Sequence, residues 1–192
     1  GRLSPGSDFQ PIDVGVSADG AVYALDASGT LVHRFDAAGR YTALRMPKGP
    51  NSWERAESFA VQSDGTFWLL YSHALVEHRD RAGALVGSFT LPYLFAGCPA
   101  PWIAAASDGH LFVGHHTCHG YYDGVAEFSP SGSLVRVLNV HGGRPSIAPD
   151  GDLVFATGPD VVGVGTYGAD GNVIPAPDTG TVSRIGRDGT GP

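Results

Sequence analysis

The residues best suited to chemistry crowd into one short segment, "HHTCHGYYDG", which holds His115, His116, Cys118 and His119, followed by Tyr121 and Tyr122. Imidazole and thiolate together suit zinc or copper. The spacing works against a ready-made metal site. Adjacent residues on a strand point to opposite faces, so His115 and His116 do not both reach one ion. The expectation is that no metal or other cofactor is held. If one is, it is calcium or zinc, with His115 and His119 as the imidazole ligands and Asp26 or Asp160 as carboxylate alternatives for calcium. Cys118 has a single counterpart, Cys98, which leaves a disulfide, two buried thiols or thiolate ligation open.

Other chemistries find less support. The chain has no G-x-S-x-G elbow and no Walker loop. "GVGTYGADG" is glycine-rich, but it lies between strand-like runs with no helix after it, so it is not a dinucleotide fingerprint. A different kind of surface is suggested by Trp53, Glu54, Arg55 and Glu57, with Tyr93, Phe95 and Trp102 further on. Aromatics and arginine are enriched at interface anchors. Trp102 and Phe95 fit a buried core equally well.

The elements that position these residues come from an internal repeat. Asp-Gly recurs at Asp19, Asp64, Asp108, Asp150 and Asp188, at spacings of 45, 44, 42 and 38 residues. A small or apolar run precedes each pair, and the first four are followed by strand-like runs: "AVYALD", "TFWLLY", "HLFVGH" and "DLVFAT". Asp-Gly between such runs marks a tight hairpin, because both residues tolerate positive φ. A second turn glycine follows in each unit (Gly39, Gly83, Gly132, Gly171). Each unit therefore reads as four short antiparallel strands, one blade of an all-β propeller. A lone blade cannot cover its own faces, so blades must stack around an axis. Val32, Phe35, Val76, Val125, Phe128, Val164 and Tyr167 are expected to pack between them. The reading divides the chain into an N-terminal segment, 1–11, and units near 12–57, 58–101, 102–144 and 145–180, with 181–192 starting a fifth.

The unit resembles the NHL-repeat propellers: an apolar strand, Asp-Gly, a strand ending near Asp, then Phe-Asp-x-x-Gly. The first repeat is the nearest match, with Asp19-Gly20, Asp26, Phe35-Asp36 and Gly39. Later repeats keep the turns and substitute Arg79-Asp80, Phe128-Ser129 and Tyr167-Gly168. The resemblance implies a fold more than a function, since such propellers include binding scaffolds as well as metal-dependent lyases and lactone hydrolases. Related propellers usually have six blades, so four units imply a piece of a longer ring, a small closed ring, or a ring completed by another chain. Open sheets tend to pair with other chains, so self-association is expected of an isolated arc.

In that frame the loops between second and third strands, and between blades, share one face. Asp26, Tyr71, His115 and Thr157 occupy equivalent second-strand ends near the channel mouth. His73, His116, His119, Tyr121 and Tyr122 sit in the second-to-third loops or at their edges, and Trp53, Arg55 and Glu57 in a blade-to-blade loop. Cys98 and Cys118 fall on this same face, where a disulfide would pin the long loop and imply an oxidising compartment.

Composition excludes some classes. A net charge of −7, with no basic run, argues against general nucleic-acid binding. No apolar stretch reaches the ~20 residues of a membrane span. The single lysine, Lys48, among twelve basic residues looks like high-GC coding bias. The first residue is Gly1, so the chain reads as processed or as part of something longer. The leading expectation is a secreted or cell-surface module that binds a protein or carbohydrate through its loop face. The alternatives are a metal-dependent lyase or hydrolase at the channel mouth, with His115 as ligand or base, and a structural module that completes a propeller with another chain.

Overall fold

The computed structural model describes residues 9–46, 55–72, 74–92, 102–116, 123–138, 144–148, 152–156, 165–167, 173–175 and 182–185. Among them there is no helix. Three four-stranded antiparallel sheets follow one another along the chain, each built in sequence order. The first holds β1 (Pro11–Val16), β2 (Val22–Asp26), β3 (Leu31–Phe35) and β4 (Tyr41–Arg45). The second holds β5 (Ala56–Val61), β6 (Phe67–Tyr71), β7 (Leu75–Arg79) and β8 (Leu85–Thr90). The third holds β9 (Ile103–Ala105), β10 (Leu111–His116), β11 (Asp123–Phe128) and β12 (Leu134–Leu138).

Both families of turns form as their residues dictate. Asp64 accepts the Thr66 amide at 2.9 Å and the Thr66 hydroxyl at 2.7 Å. Gly65 follows with φ +85°, which costs a residue without Cβ nothing. Asp19 and Asp108 accept the amides of Ala21 and His110 in the same way. At the second turn, Asp36 accepts the Ala38 and Arg40 amides at 3.0 and 2.9 Å, and Asp80 repeats the pattern with Ala82 and Ala84. Ser129 stands in for that aspartate and accepts the Ser133 amide at 3.1 Å. Asp19, Asp64 and Asp108 are therefore turn residues, and Asp150 and Asp188 lie outside the described residues.

Alternation along the strands lets the facing sides of neighbouring sheets bury against each other. The first strands lie side by side, β1 against β5 and β5 against β9. Between the first two sheets, Tyr23, Leu25 and Val32 pack against Phe59, Phe67 and Leu69, all fully buried. Between the second and third, Trp68, Leu70 and Val76 meet Ile103, Val113 and Phe128. Trp102, Phe112 and Val125 form a third layer with Leu153. Fully burying one such large side chain contributes about 1.5–3 kcal/mol, so these layers, and not the turns, hold the arc together. Of the residues expected between blades, Val32, Val76, Val125 and Phe128 are buried and Phe35 is half-buried. Val164 and the side chain of Tyr167 lie outside the described residues.

The fourth unit departs from the expected order. β13 (Ser146–Ile147) pairs with β14 (Leu153–Ala156), and β13 packs on β9 as a first strand should. The third place in the sheet, however, is taken by β17 (Val182–Ile185) instead of the next strand in sequence. β15 (Gly165–Tyr167) and β16 (Val173–Pro175) form a hairpin of their own. The segment read as the first strand of a fifth unit thus serves the fourth. Its local composition, "TVSRIG", suits a strand in either place, and only long-range pairing decides between them.

Candidate functional site at the axis

Counting back six residues from the aspartate of each of the first four Asp-Gly pairs gives Asp13, Ser58, Trp102 and Arg144. Three of these four positions join in one polar cluster across the first strands. Asp13, on β1, turns its carboxylate toward the second sheet. There Oδ2 accepts the Ser58 hydroxyl at 2.8 Å and the Phe59 amide at 2.9 Å. Arg144, just ahead of β13, pairs through Nη1 with Oδ1 of Asp13 and donates from Nη2 to the Phe59 carbonyl at 2.6 Å. Ser58 Oγ also accepts the Ile103 amide of the third sheet at 3.2 Å. Four consecutive units are thus tied at one level of the axis: charge-assisted bonds, the stronger kind, join the first, second and fourth, and the neutral Ser58–Ile103 bond reaches the third. The Asp13 side chain is only 8% exposed, so its charge depends on these partners.

Trp102 fills the same position in the third unit with apolar bulk. Its indole lies over Gly114 of β10, where an added Cβ would stand 2.6 Å from Cε2. Towards the Asp-Gly face, beyond the cluster, the ends of the four first strands open into a cavity of about 290 Å³. Val16, Val61, Ala105 and Ile147 wall it, and Ser63 and Ser107 sit at its rim.

Of the four second-strand ends, Asp26 and Tyr71 are described with their side chains, and each bonds within its own sheet. Asp26 bonds within its own sheet, accepting the Ser28 amide at 2.9 Å and the Gln10 amide at 3.3 Å. These bonds outweigh partial burial and hold its carboxyl below the usual carboxylate range. His33 lies 3.9 Å away through Nε2 and shares a 2.8 Å hydrogen bond with the Tyr41 hydroxyl through Nδ1. Tyr71 donates to Glu77 at 2.8 Å, and Arg79 donates to the same carboxylate oxygen at 2.6 Å, all within the second sheet. Burial, then the bond to Glu77, pushes the Tyr71 phenol well above its ordinary value. Tyr71 is therefore locked as a structural donor and not free as an acid.

For the other expected residues, Arg55 is exposed and Glu57 half-buried, at the entry to β5. His115 and His116 end β10, where His115 pairs with Gly124 and His116 with Asp123 in the strand register. Their backbone alone is described. Trp53, His73, Cys98, Cys118, His119, Tyr121, Tyr122, Thr157 and Asp160 lie outside the described residues. Among the described residues, no group of three or more His, Cys, Asp or Glu side chains is placed to hold a metal. Sequence reasoning missed Asp13, Ser58 and Arg144, although the constant offset from Asp-Gly was there to be read.

Successive four-stranded antiparallel sheets, with their first strands side by side and polar residues meeting between them, define a β-propeller. The arc is not closed. No family model matches the chain, and no curated protein matches it. Among solved structures it is similar to virginiamycin B lyase from Staphylococcus aureus, at 17% identity and a TM-score of 0.61, over 97% of this chain and 55% of that one. It is similar also to hydrazine synthase from Kuenenia stuttgartiensis, at 17% identity and 0.58, over 96% and 48%. The WD40 repeats of RRP9 match at 16% identity and 0.58, over 83% and 48%. The chain spans about half the length of these structures. At such identities the likeness shows the fold alone.

Proposed function

We propose that this propeller module binds a ligand and acts as a scaffold rather than a catalyst, engaging a protein or carbohydrate on its loop face, outside the cell. The observation that carries this reading is the state of the axial cluster. Asp13, the carboxylate nearest the axis, is committed to Ser58, Phe59 and Arg144, and its bonds join sheets to one another. A general base or a metal ligand needs a carboxylate with a free lone pair facing the substrate. Here the lone pairs serve rigidity, which suits a framework that presents loops. The exposed Arg55 and the neighbouring Glu57 supply polar groups beside the aromatic blade-to-blade segment. The extracellular placement rests on the Cys98–Cys118 pairing read from the sequence, and on nothing else.

The test uses an immobilised panel of glycans and cell-surface proteins, with wild type and an Arg55→Ala/Glu57→Ala double variant. The expected result is a saturable ligand for the wild type, bound at least about tenfold more weakly by the variant at unchanged Tm, a difference of about 1.4 kcal/mol. A stoichiometric divalent ion whose removal by chelator abolishes a lyase or hydrolase turnover would overturn the reading. Thiol titration under denaturing, non-reducing conditions checks the compartment: two reactive thiols would remove the argument for secretion.

A further inference from the structure

The three four-stranded sheets repeat one cross-strand row with different residues. On the second strand the row holds an aromatic ring: Tyr23, Trp68 or Phe112. Beside it on the third strand stand Arg34, His78 and Glu127, and the row ends on the fourth strand at Thr42, Gly87 and Arg136. In the first sheet the Arg34 guanidinium lies over the Tyr23 ring, 5.7 Å from its centroid. In the third, Arg136 closes the row on Glu127 at 2.6 Å. The second sheet stacks the His78 imidazole on the Trp68 indole, 4.1 Å between centroids, and the row then ends without a side chain. A Cβ at Gly87 would meet nothing within 4 Å.

This open end belongs to a slot of about 270 Å³ between the second and third sheets. Trp68, His78, Gly87 and Phe89 line it from the second sheet, and Pro130 and Ser131, at the turn between β11 and β12, from the third. Its sides are fixed. Trp68 Nε1 donates to Gln62 Oε1 at 3.1 Å. Phe89 sits edge-on to Trp68 and hard against Gly132, where a Cβ would stand 2.4 Å from its Cγ. Among the described residues no Asp, Glu, Lys or Arg lines the slot, and its hydroxyls are those of Ser88 and Ser131. The Ser131 hydroxyl already shares a 2.9 Å bond with that of Ser129.

We propose that the slot is a binding site for a free, neutral compound built on a single aromatic ring, which lies against His78 over Gly87 and continues the Trp68–His78 stack. Neighbouring strands lie about 4.8 Å apart, so the place over Gly87 is the next step of that stack. The volume falls just under the ~300–1,000 Å³ of pockets that take drug-sized ligands, which suits one ring and little more. A charged ligand would give up its hydration there without a counter-ion. A sugar would leave most of its hydroxyls without partners. The turn between β11 and β12 stands at the Asp-Gly end of the sheets, so this site is separate from the loop face.

Isothermal titration calorimetry on the full chain tests the proposal independently of the loop-face reading. Indole and phenol should each bind saturably, with a dissociation constant of about 0.01–1 mM. Cyclohexanol, similar in bulk but without a π face, should bind at least about threefold more weakly than phenol. N-acetyltryptophanamide carries the indole on a peptide unit for which the slot has no room, and should bind at least about tenfold more weakly than indole. Gly87→Leu fills the slot from a position where its Cβ meets nothing, and should abolish binding with the thermal transition unchanged. His78→Ala should weaken indole binding at least about tenfold, whereas His78→Phe, which keeps a ring in the stack, should stay within about threefold of wild type. No saturable binding of indole up to about 10 mM would overturn the proposal. So would binding that Gly87→Leu leaves unaltered, or cyclohexanol binding as tightly as phenol, or the amide binding as tightly as indole.

Discussion

The axial cluster and the Tyr71–Glu77–Arg79 cluster use the same chemistry to different ends. In both, a carboxylate accepts a hydroxyl and a guanidinium. Around Glu77 both partners belong to its own sheet, and Arg79 also donates to the Gly83 carbonyl at the turn of that sheet. Around Asp13 the partners come from different sheets, and the ion pair joins residues far apart in the chain. The difference follows from radius. First strands crowd at the axis, where a side chain of ordinary length reaches the next unit or the one beyond. Farther out the blades diverge, and Glu77 finds its partners within its own sheet. The Glu77 cluster therefore stabilises one blade, while the Asp13 cluster couples several.

The largest expected effect is in the outer cluster. Glu77→Leu leaves the Arg79 guanidinium, itself only 5% exposed, and the Tyr71 hydroxyl without their acceptor. Stranding one partner of a buried pair costs about 3–5 kcal/mol, which a urea melt should show as a lowered midpoint. Asp13→Ala should cost less, about 2–3 kcal/mol, because Arg144 is a third exposed and can turn to water. The contrast lies in the coupling. A double-mutant cycle between Asp13 and Arg144 should give an interaction of about 1–2 kcal/mol, whereas Asp13 and Glu77 should be additive within about 0.5 kcal/mol. Additivity between Asp13 and Arg144 would show that the axial bonds do not couple sheets.

Gly114→Ala probes the unit that replaces polar bonding at the axis with bulk. The new methyl meets the Trp102 ring at 2.6 Å, where backbone and indole are both confined. Overpacking of this kind costs about 1–3 kcal/mol. Pairing the change with Trp102→Leu should recover part of the loss in a thermal melt. No recovery would mean that the clash lies elsewhere.

How much of this could be read beforehand depends on the range of the interaction that fixes it. The turns are local, and Asp-Gly at Asp19, Asp64 and Asp108 announces them with their hydrogen bonds. Burial of Val32, Val76 and Val125 follows from strand alternation once the turns are placed. The pairing of β17 with β14 does not follow, because "TVSRIG" has the same local preferences whichever sheet receives it. The site was harder still. Chemical richness drew attention to His115 and Cys118, whose side chains lie outside the described residues, whereas proximity to the axis is what joins Asp13, Ser58 and Arg144. Asp13 and Ser58 look unremarkable in sequence, and their meaning lies in a shared offset from Asp-Gly.

The smallest effect, and the one that separates sheet interiors from the axis, depends on pH. His33 and His78 both have pKa values lowered from 6.5, chiefly by burial, with Asp26 and Asp64 partly offsetting it. Their neutral forms are favoured on folding. Between the lowered folded value and 6.5 the unfolded chain binds more protons, so stability is full above pH 6.5 and falls as acidification proceeds toward the folded value. His78→Phe should isolate one contribution. The ring keeps its stack on Trp68, now at 4.1 Å between centroids and 7° between planes, but no longer titrates. Urea midpoints compared at pH 7.0 and about pH 5.5 should then differ less for the variant than for wild type, with His33 supplying the remainder. An unchanged difference would show that His78 takes up its proton as readily in the folded protein as in the unfolded chain.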